Sequence, residues 1–271
     1  MRFGVTANPE SPRAVEASRS VVETLRKEHR VLLEEDLAAA LGEEGTSLDA
    51  MSMDILVTVG GDGTILRALQ LGDFQILGVN ISRVGFLTEV SLDGVEGALA
   101  RLAEGNFTIE ERIKLRVEAD GRRRPDCTNE AVIHTANLAK VRRFVIAIDG
   151  ETASTVEGDG IIVATPTGST AYSLSAGGPI LDPRVRGFVI TALAPFRQTL
   201  RPTVVPADAH VQVQLAGEGT SLLVLDGQRE EVLKARARLD FTVAKRKARF
   251  VRFADDFYSR VREKLMEGPG P

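Results

Sequence analysis

The chain has 271 residues, 34 of them Lys or Arg and 38 Asp or Glu, for a formal net charge of −4 at pH 7, a length that holds two modest domains, each with its own core. A single cysteine, Cys127, excludes an intrachain disulfide, and three scattered histidines, His29, His134 and His210, offer no zinc cluster. Acidic and basic residues are interspersed, so there is no electrostatic footprint for nucleic acid, and with no signal-peptide pattern or apolar run of membrane-spanning length the expectation is a cytoplasmic protein that works away from membranes.

In chain order, residues 3–6 read as a strand. Ser11 and Pro12 then supply an N-cap and a proline at the first helical position, and Ala14, Val15, Ser18, Val21, Val22 and Leu25 fall on one helical face. Residues 31–33, 55–59 and 76–79 are short apolar runs without polar alternation, as in parallel strands covered on both faces, and 64–71 and 95–102 read as helices. From about residue 107 the period becomes two: Ile113, Leu115 and Val117 alternate with charged residues, and similar runs recur at 144–148, 211–215 and 222–225. Asp149-Gly150 is a hairpin signal. The basic runs Arg122-Arg123-Arg124 and Lys245-Arg246-Lys247 read as solvated turns or strand edges. Phe257, Val261 and Leu265 at helical spacing predict a helix over 254–266, and Gly268-Pro269-Gly270-Pro271 should fray. The expected fold is an α/β N-terminal domain with a parallel sheet over 1–106, a β-rich domain over 107–253, and a C-terminal helix and tail over 254–271, the helix packing back on the first domain.

Two segments carry the chemistry. Gly60-Gly61-Asp62-Gly63-Thr64 follows an apolar strand and reads as a strand-to-helix turn, where free amides at a helix start can meet phosphate. A purely structural turn would use the same glycines, with Asp62 as an N-cap. Residues 158–180 combine hydroxyls, glycines and Tyr172 with almost no charge, which suits a pocket for an uncharged base or sugar. Neither a P-loop nor a dinucleotide fingerprint of the dehydrogenase type occurs. An aspartate in a phosphate-binding turn can instead take the proton from an attacking hydroxyl, while amides and Mg²⁺ absorb charge on the transferring group. Asn129 offers both a donor and an acceptor to an adenine edge and Glu130 can accept two ribose O–H bonds, although Thr-Asn-Glu alone could be a polar loop. Tyr172 suits the wall of a base pocket or plain packing. Asp159 between glycines reads as a bulge or a close ligand approach. Arg67 and Lys140 can hold phosphates or lie on solvated faces; Cys127 and His134 read as structural.

In this order, residues 60–64, Thr128-Asn129-Glu130, Asp159-Gly160 and the run Thr165-Pro166-Thr167-Gly168-Ser169-Thr170-Ala171-Tyr172 to Ile180 resemble the motif set of the NAD kinases. The first motif is shared with diacylglycerol-type lipid kinases and resembles that of phosphofructokinases; the long third motif is specific. The resemblance runs from the first strand to Leu225-Asp226-Gly227-Gln228. It implies phosphorylation of the 2′-hydroxyl on the adenosine ribose of NAD, with ATP or polyphosphate as donor. Without a P-loop lysine, Mg²⁺ or Mn²⁺ is expected to enter with ATP, and without a ligand set no tightly bound metal is expected; the resemblance further implies a homodimer or homotetramer. Asp62 would be the general base, and Gly61, Gly63 and Thr64 would form the ligand-binding turn. Asn129, Glu130, Thr170, Ala171, Tyr172 and Ser175 would lie on the adenosine half, with Glu130 and Asp62 near ribose hydroxyls. Asp159, Ala194 and Gln228 would lie towards the nicotinamide half. The chain departs from the family pattern over 194–202, where Phe196 replaces a histidine, and at Glu157, where a basic residue is common. Two other readings compete. A lipid kinase sharing the glycine turn should show a membrane-facing segment, and a non-catalytic NAD(P)-binding sensor would not need Asp62.

Overall fold

The computed structural model describes residues 1–81, 85–137, 140–197, 200–254 and 256–266. The predicted frayed tail, and Gln198 and Thr199 of the segment that departs from the family pattern, lie outside the described residues. The chain divides into two compact units, Met1–Glu111 with Ala248–Pro271, and Arg112–Lys247. Among the described residues no helix is long and apolar enough to cross a membrane.

In the first unit β1 (Arg2–Ala7) leads into α1 (Pro12–Arg26), where Ser11 Oγ accepts the Ala14 amide at 3.3 Å and Pro12 opens the helix. Ala14, Ala17, Ser18, Val21, Val22 and Leu25 form its buried face. Val15 is only half-buried, because the stripe runs from 14 through 17 and 18 and leaves 15 on its rim. Then come β2 (Arg30–Leu33), α2 (Glu35–Leu41), β3 (Ile55–Gly60), α3 (Asp62–Leu71), β4 (Gln75–Asn80), β5 (Val90–Ser91), α4 (Val95–Ala103) and β6 (Thr108–Arg112). The sheet runs β2-β1-β3-β4, then the late strand Ala248–Arg252, then β6, with β5 beside β4. Pairings from β1 to β5, and of the late strand with β4, are parallel. One apolar layer holds Phe3, Val5, Val21, Leu25, Val57 and Val79; the other holds Leu56, Ile65, Leu69, Ile76 and Phe250. A strand covered on both faces has no polar alternation, and β3 is buried along its whole length.

β6 and the late strand belong to this first sheet, although the alternation from residue 107 assigns them to the β-rich part. A period of two reports one covered face and carries no information on which sheet covers it.

The second unit contains β7 (Leu115–Ala119), β8 (Arg122–Arg123), β9 (Glu130–Thr135), β10 (Arg142–Ile148), β11 (Glu151–Gly158), β12 (Gly160–Ala164), α5 (Tyr172–Ser175), β13 (Gly187–Leu193), β14 (Thr203–Pro206), β15 (Val211–Ala216), β16 (Ser221–Leu225), β17 (Arg229–Leu233) and β18 (Arg238–Val243). They form two six-stranded sheets, β11-β10-β15-β18-β7-β8 and β14-β13-β12-β9-β16-β17. Leu115, Val117, Phe144, Ile161, Phe188, Val213 and Phe241 share the core of this unit. Asp149 and Gly150, at φ +50° and +85°, turn β10 into β11 as the sequence predicts. β12 and β13 are buried at every residue, with Ala176 of the hydroxyl-rich run and the adjoining Leu181 packed on Ile162, Ala164 and Val189. The run therefore lies against the centre of the second sheet.

The late strand is β19 (Ala248–Arg252), followed by α6 (Phe257–Val261) and a π-helical turn (Arg262–Met266). Arg260 of α6 bonds Thr88 and Glu89, so this end packs on the first unit.

Candidate active site

β3 ends at Gly60 and α3 starts at Asp62, with Gly61 as N-cap. A Cβ on Gly60 would stand 2.4 Å from Thr64 Oγ1, so the turn closes on its own helix only with glycine there. Gly63 is exposed and Thr64 half-buried, and the Thr64 amide is bonded to Gly61 O at 3.1 Å. The half-buried Asp62 does not use its carboxylate as a helix cap. Instead the carboxylate accepts three consecutive amides of a loop, Phe86 at 2.8 Å, Leu87 at 3.1 Å and Thr88 at 3.4 Å. Gly85 makes the approach possible, since a Cβ there would lie 2.0 Å from Asp62 Oδ1. Lys264 of the C-terminal turn lies with Nζ 4.1 Å from the Phe86 ring centroid. Burial pulls its pKa down, and the nearby Asp62 charge opposes that. Arg67 is already engaged. Its Nη2 donates to Ala7 O and Thr6 Oγ1 at 3.0 and 3.2 Å, and Glu34 and Asp36 lie at 3.7 and 3.9 Å. A phosphate at Arg67 would compete with two carboxylates.

In the second unit, residues 128–130 are clamped from two sides. Asp226, buried in the turn after β16 with φ +52°, accepts the amides of Thr128, Asn129 and Glu130 at 2.9, 2.7 and 3.1 Å. Opposite, Thr165 Oγ1 donates to Thr128 O at 2.5 Å and the Thr165 amide to Asn129 O at 2.8 Å. A Cβ on Gly168 would lie 2.2 Å from Asn129 O, so only glycine admits this contact. The clamp leaves Asn129 Oδ1 and Glu130 Oε2 buried without a hydrogen-bond partner. Orphaned acceptors of this kind are costly, about 1–3 kcal/mol each, unless a further molecule meets them.

Burial, helped by the Asp226 charge, pushes the Glu130 pKa up to about 8. At neutral pH the carboxyl therefore keeps its proton and offers one O–H and acceptor capacity, in place of the two acceptor oxygens expected from the sequence. Burial also raises the pKa of Asp226, against the three amides that lower it.

Thr170 Oγ1 donates to Thr167 O at 3.2 Å, and the Ala171 amide to Gly168 O at 2.9 Å. Tyr172 opens α5 and is 43% exposed, so it is a surface ring and not a packing residue; Ser175 is exposed. Asp159 sits between β11 and β12. The glycines beside it admit neighbouring strands: a Cβ on Gly158 would meet Leu193 O at 2.7 Å, and one on Gly160 would meet Ile133 O at 2.3 Å. Ala194 is held at φ +40°, a conformation uncommon for a residue with a Cβ. Lys140, Ala194 and Gln228 are exposed, and no hydrogen bond among the described residues joins their side chains to 128–130. Phe196 is 71% exposed, and Glu157 pairs with Arg143 at 2.6 Å. The structure thus brings together Asn129, Glu130 and residues 165–171, and separately Asp62 with the loop 85–88. Sequence reasoning missed Asp226 and that loop; an Asp-Gly pair ending an apolar strand, and Gly85 before Phe86-Leu87-Thr88, are the signals that were there.

Residues 3–107 match the family model for the ATP-NAD kinase N-terminal domain, and residues 128–253 that for the ATP-NAD kinase C-terminal domain. An NAD kinase of Thermoplasma volcanium is 41% identical over 268 residues, which cover 98% of each chain. The crystal structure of an NAD kinase from Archaeoglobus fulgidus in complex with ATP is similar at TM-score 0.77 and 28% identity, covering 97% of this chain and 98% of that one. Yeast NADH kinase complexed with NADH shares the fold at TM-score 0.90 and 21% identity, covering 100% of this chain and 88% of that one. With near-complete coverage by relatives above 30% identity, the chain belongs to the ATP-NAD kinase family.

Proposed function

We propose that this protein transfers the γ-phosphoryl group of ATP to the 2′-hydroxyl on the adenosine ribose of NAD, giving NADP and ADP. The observation that carries the reading is the pair of buried, unpartnered acceptors Asn129 Oδ1 and Glu130 Oε2 on one clamped turn. A nucleoside supplies the polar groups that would satisfy them. Asn129 meets the adenine edge, Glu130 the ribose hydroxyls, and the exposed Tyr172 ring offers a face to the base. Thr170, Ala171 and Ser175 complete the adenosine side, and Asp159, Ala194 and Gln228 serve the nicotinamide side. Gly61, Gly63 and Thr64 form the helix start that meets donor phosphate.

Asp62 is the general base. Three amides fix its carboxylate, so no orientation is lost when the hydroxyl proton is taken. As the ribose O–P bond forms and the bond from the γ-phosphorus to the bridging oxygen breaks, the hydroxyl proton passes to Asp62 and ADP leaves. Among the described residues no group of three His, Cys, Asp or Glu could hold a metal. On this reading Mg²⁺ or Mn²⁺ enters with ATP as part of the substrate and neutralises donor phosphates. Exposed Lys140 is available to phosphate; Arg67 is not, while Glu34 and Asp36 hold it. Polyphosphate as a second donor, a homodimer or homotetramer, and a cytoplasmic location belong to the same reading. Among the described residues β8, β11, β14 and β17 are the edge strands of their sheets, which supports self-association.

The test is incubation with NAD, Mg²⁺ and either ATP or polyphosphate, with NADP measured by mass; no NADP from either donor overturns the reading. Asp62→Asn keeps the size of the side chain but cannot take the proton, so kcat should fall on the order of 10²–10⁴-fold with little change in NAD affinity. Wild-type turnover by that variant removes the base assignment.

A further inference from the structure

The loop whose amides hold Asp62 is gripped equally by its carbonyls. Arg252, at the end of β19, donates through Nη1 to Leu87 O at 3.0 Å and to Glu89 Oε2 at 2.8 Å, while its Nε binds Glu110 at 2.8 Å. Arg260, from α6, donates through Nη1 to Thr88 O and, at 3.5 Å, to Phe86 O. Its Nη2 and Nε bind Glu89 and Asp256, each at 2.8 Å. Both arginines are buried, at 6% and 7% exposure. Residues 86, 87 and 88 therefore each offer an N–H to the Asp62 carboxylate and a C=O to a guanidinium, and in two planar peptide groups, 86–87 and 87–88, both bonds fall on the same unit: Phe86 O with the Leu87 amide, and Leu87 O with the Thr88 amide. Hydrogen bonds in such a chain polarise one another, so a cation on the carbonyl strengthens the donation by the amide. A loop that needed only to be held in place would be served by neutral packing, since burying two arginines around a shared carboxylate is a poor source of stability.

We propose that Arg252 and Arg260 are positioning residues for the phosphoryl transfer, holding the Asp62 carboxylate in its reactive orientation through the peptide groups of residues 86–88. The C-terminal segment thereby becomes part of the reaction. This rests on the reading of Asp62 as the base.

The test is a double-mutant cycle on the full chain with NAD and MgATP. Arg260→Gln alone should lower kcat by about 10–100-fold and leave the KM for NAD within about twofold. In the Asp62→Asn background the same substitution should cost less than about threefold, because the group it orients can no longer accept a proton. Equal losses in both backgrounds, an unchanged kcat, or a KM that rises in step with the loss of kcat would overturn the proposal. If Asp62→Asn itself turns over normally, the base reading fails instead, so the two failures are distinct. Should Arg260→Gln not fold, as judged by circular dichroism and gel filtration, Arg260→Lys enters the same cycle. It keeps the charge but not the fork, and the same non-additivity is required.

Discussion

Glu130→Gln removes a carboxyl whose proton the fold retains. Burial and Asp226 raise its pKa from 4.5 to about 8, so between those limits the folded chain holds a proton that the unfolded chain has released. The sign follows. This contribution to stability is fully present below pH 4.5, declines as pH rises, and is lost above about pH 8. Each pH unit within the window is worth about 1.36 kcal/mol, so from pH 5 to 7.5 the wild type should lose on the order of 3 kcal/mol from this group. For a chain of this size that corresponds to roughly 6–12 °C in melting temperature. Glutamine has a similar shape and does not titrate, so Glu130→Gln should lack this decline. Asp226 is present in both proteins and its charge contributes to the Glu130 shift, so the difference between the two profiles reports Glu130 as coupled to Asp226. Thermal melts without nucleotide, at fixed ionic strength and half-unit pH steps, give the difference directly. Wild type should lose its advantage over the variant steadily from pH 5 to 8. Parallel profiles would refute the reasoning, since they mean that Glu130 ionises in the fold as it does in water.

Tyr172→Ala and Asn129→Ala should each raise the KM for NAD while leaving the KM for ATP within about twofold; loss of one ring contact is worth roughly 0.5–1.5 kcal/mol, up to about tenfold in affinity. Normal NAD affinity in both variants removes the adenosine assignment. Gly168→Ala forces a Cβ against Asn129 O, 2.2 Å away, and should destabilise the protein by about 1–3 kcal/mol in urea titrations. Gly97→Ala on the exposed face of α4, where a Cβ meets nothing within 4 Å, should instead stabilise by about 0.5–1 kcal/mol; the reverse order would contradict the packing described for 128–130. EDTA should abolish turnover with ATP, and Mg²⁺ or Mn²⁺ should restore it; turnover at the full rate in chelator would show that the donor phosphates are neutralised by protein groups alone.

What could be read from the sequence is what residue type encodes locally. Ser11 and Pro12 mark the start of α1, the unalternating run 55–59 marks a strand covered on both sides, and Asp149-Gly150 marks a hairpin; each rests on contacts a few residues apart. The pairing of 128–130 with 165–168 was legible only as an ordered motif set, since Thr165 Oγ1 reaches Thr128 O across 37 positions. α2 escaped because it is short and buries only Leu37 and Ala38, too few for a helical period. The placement of β6 and β19 escaped because alternation does not name a sheet. The loop at 86–88 and the turn at Asp226 escaped for another reason. Their donors are main-chain amides, and every residue except proline has one, so a carboxylate that binds backbone 24 or 98 positions away leaves no signature at the other end.

Those two hidden contacts are one device used twice. Asp62 and Asp226 each take three consecutive amides, from 86–88 and from 128–130, at comparable distances. Burial separates their chemistry. Asp226 is 3% exposed, so its oxygens are spent on the amides and its effect is to fix Asn129 and Glu130 with their own acceptors unsatisfied. Asp62 is half-buried at the first residue of a helix, so the same grip leaves a carboxylate that is fixed in direction and still open to a reacting hydroxyl. Amides hold the Asp62 carboxylate in place of an arginine fork, which would occupy both oxygens. The buried arginines Arg252 and Arg260 bond Leu87 O and Phe86 O on the far side of the peptides whose amides reach Asp62, so on the proposed reading they strengthen the grip without touching the carboxylate itself.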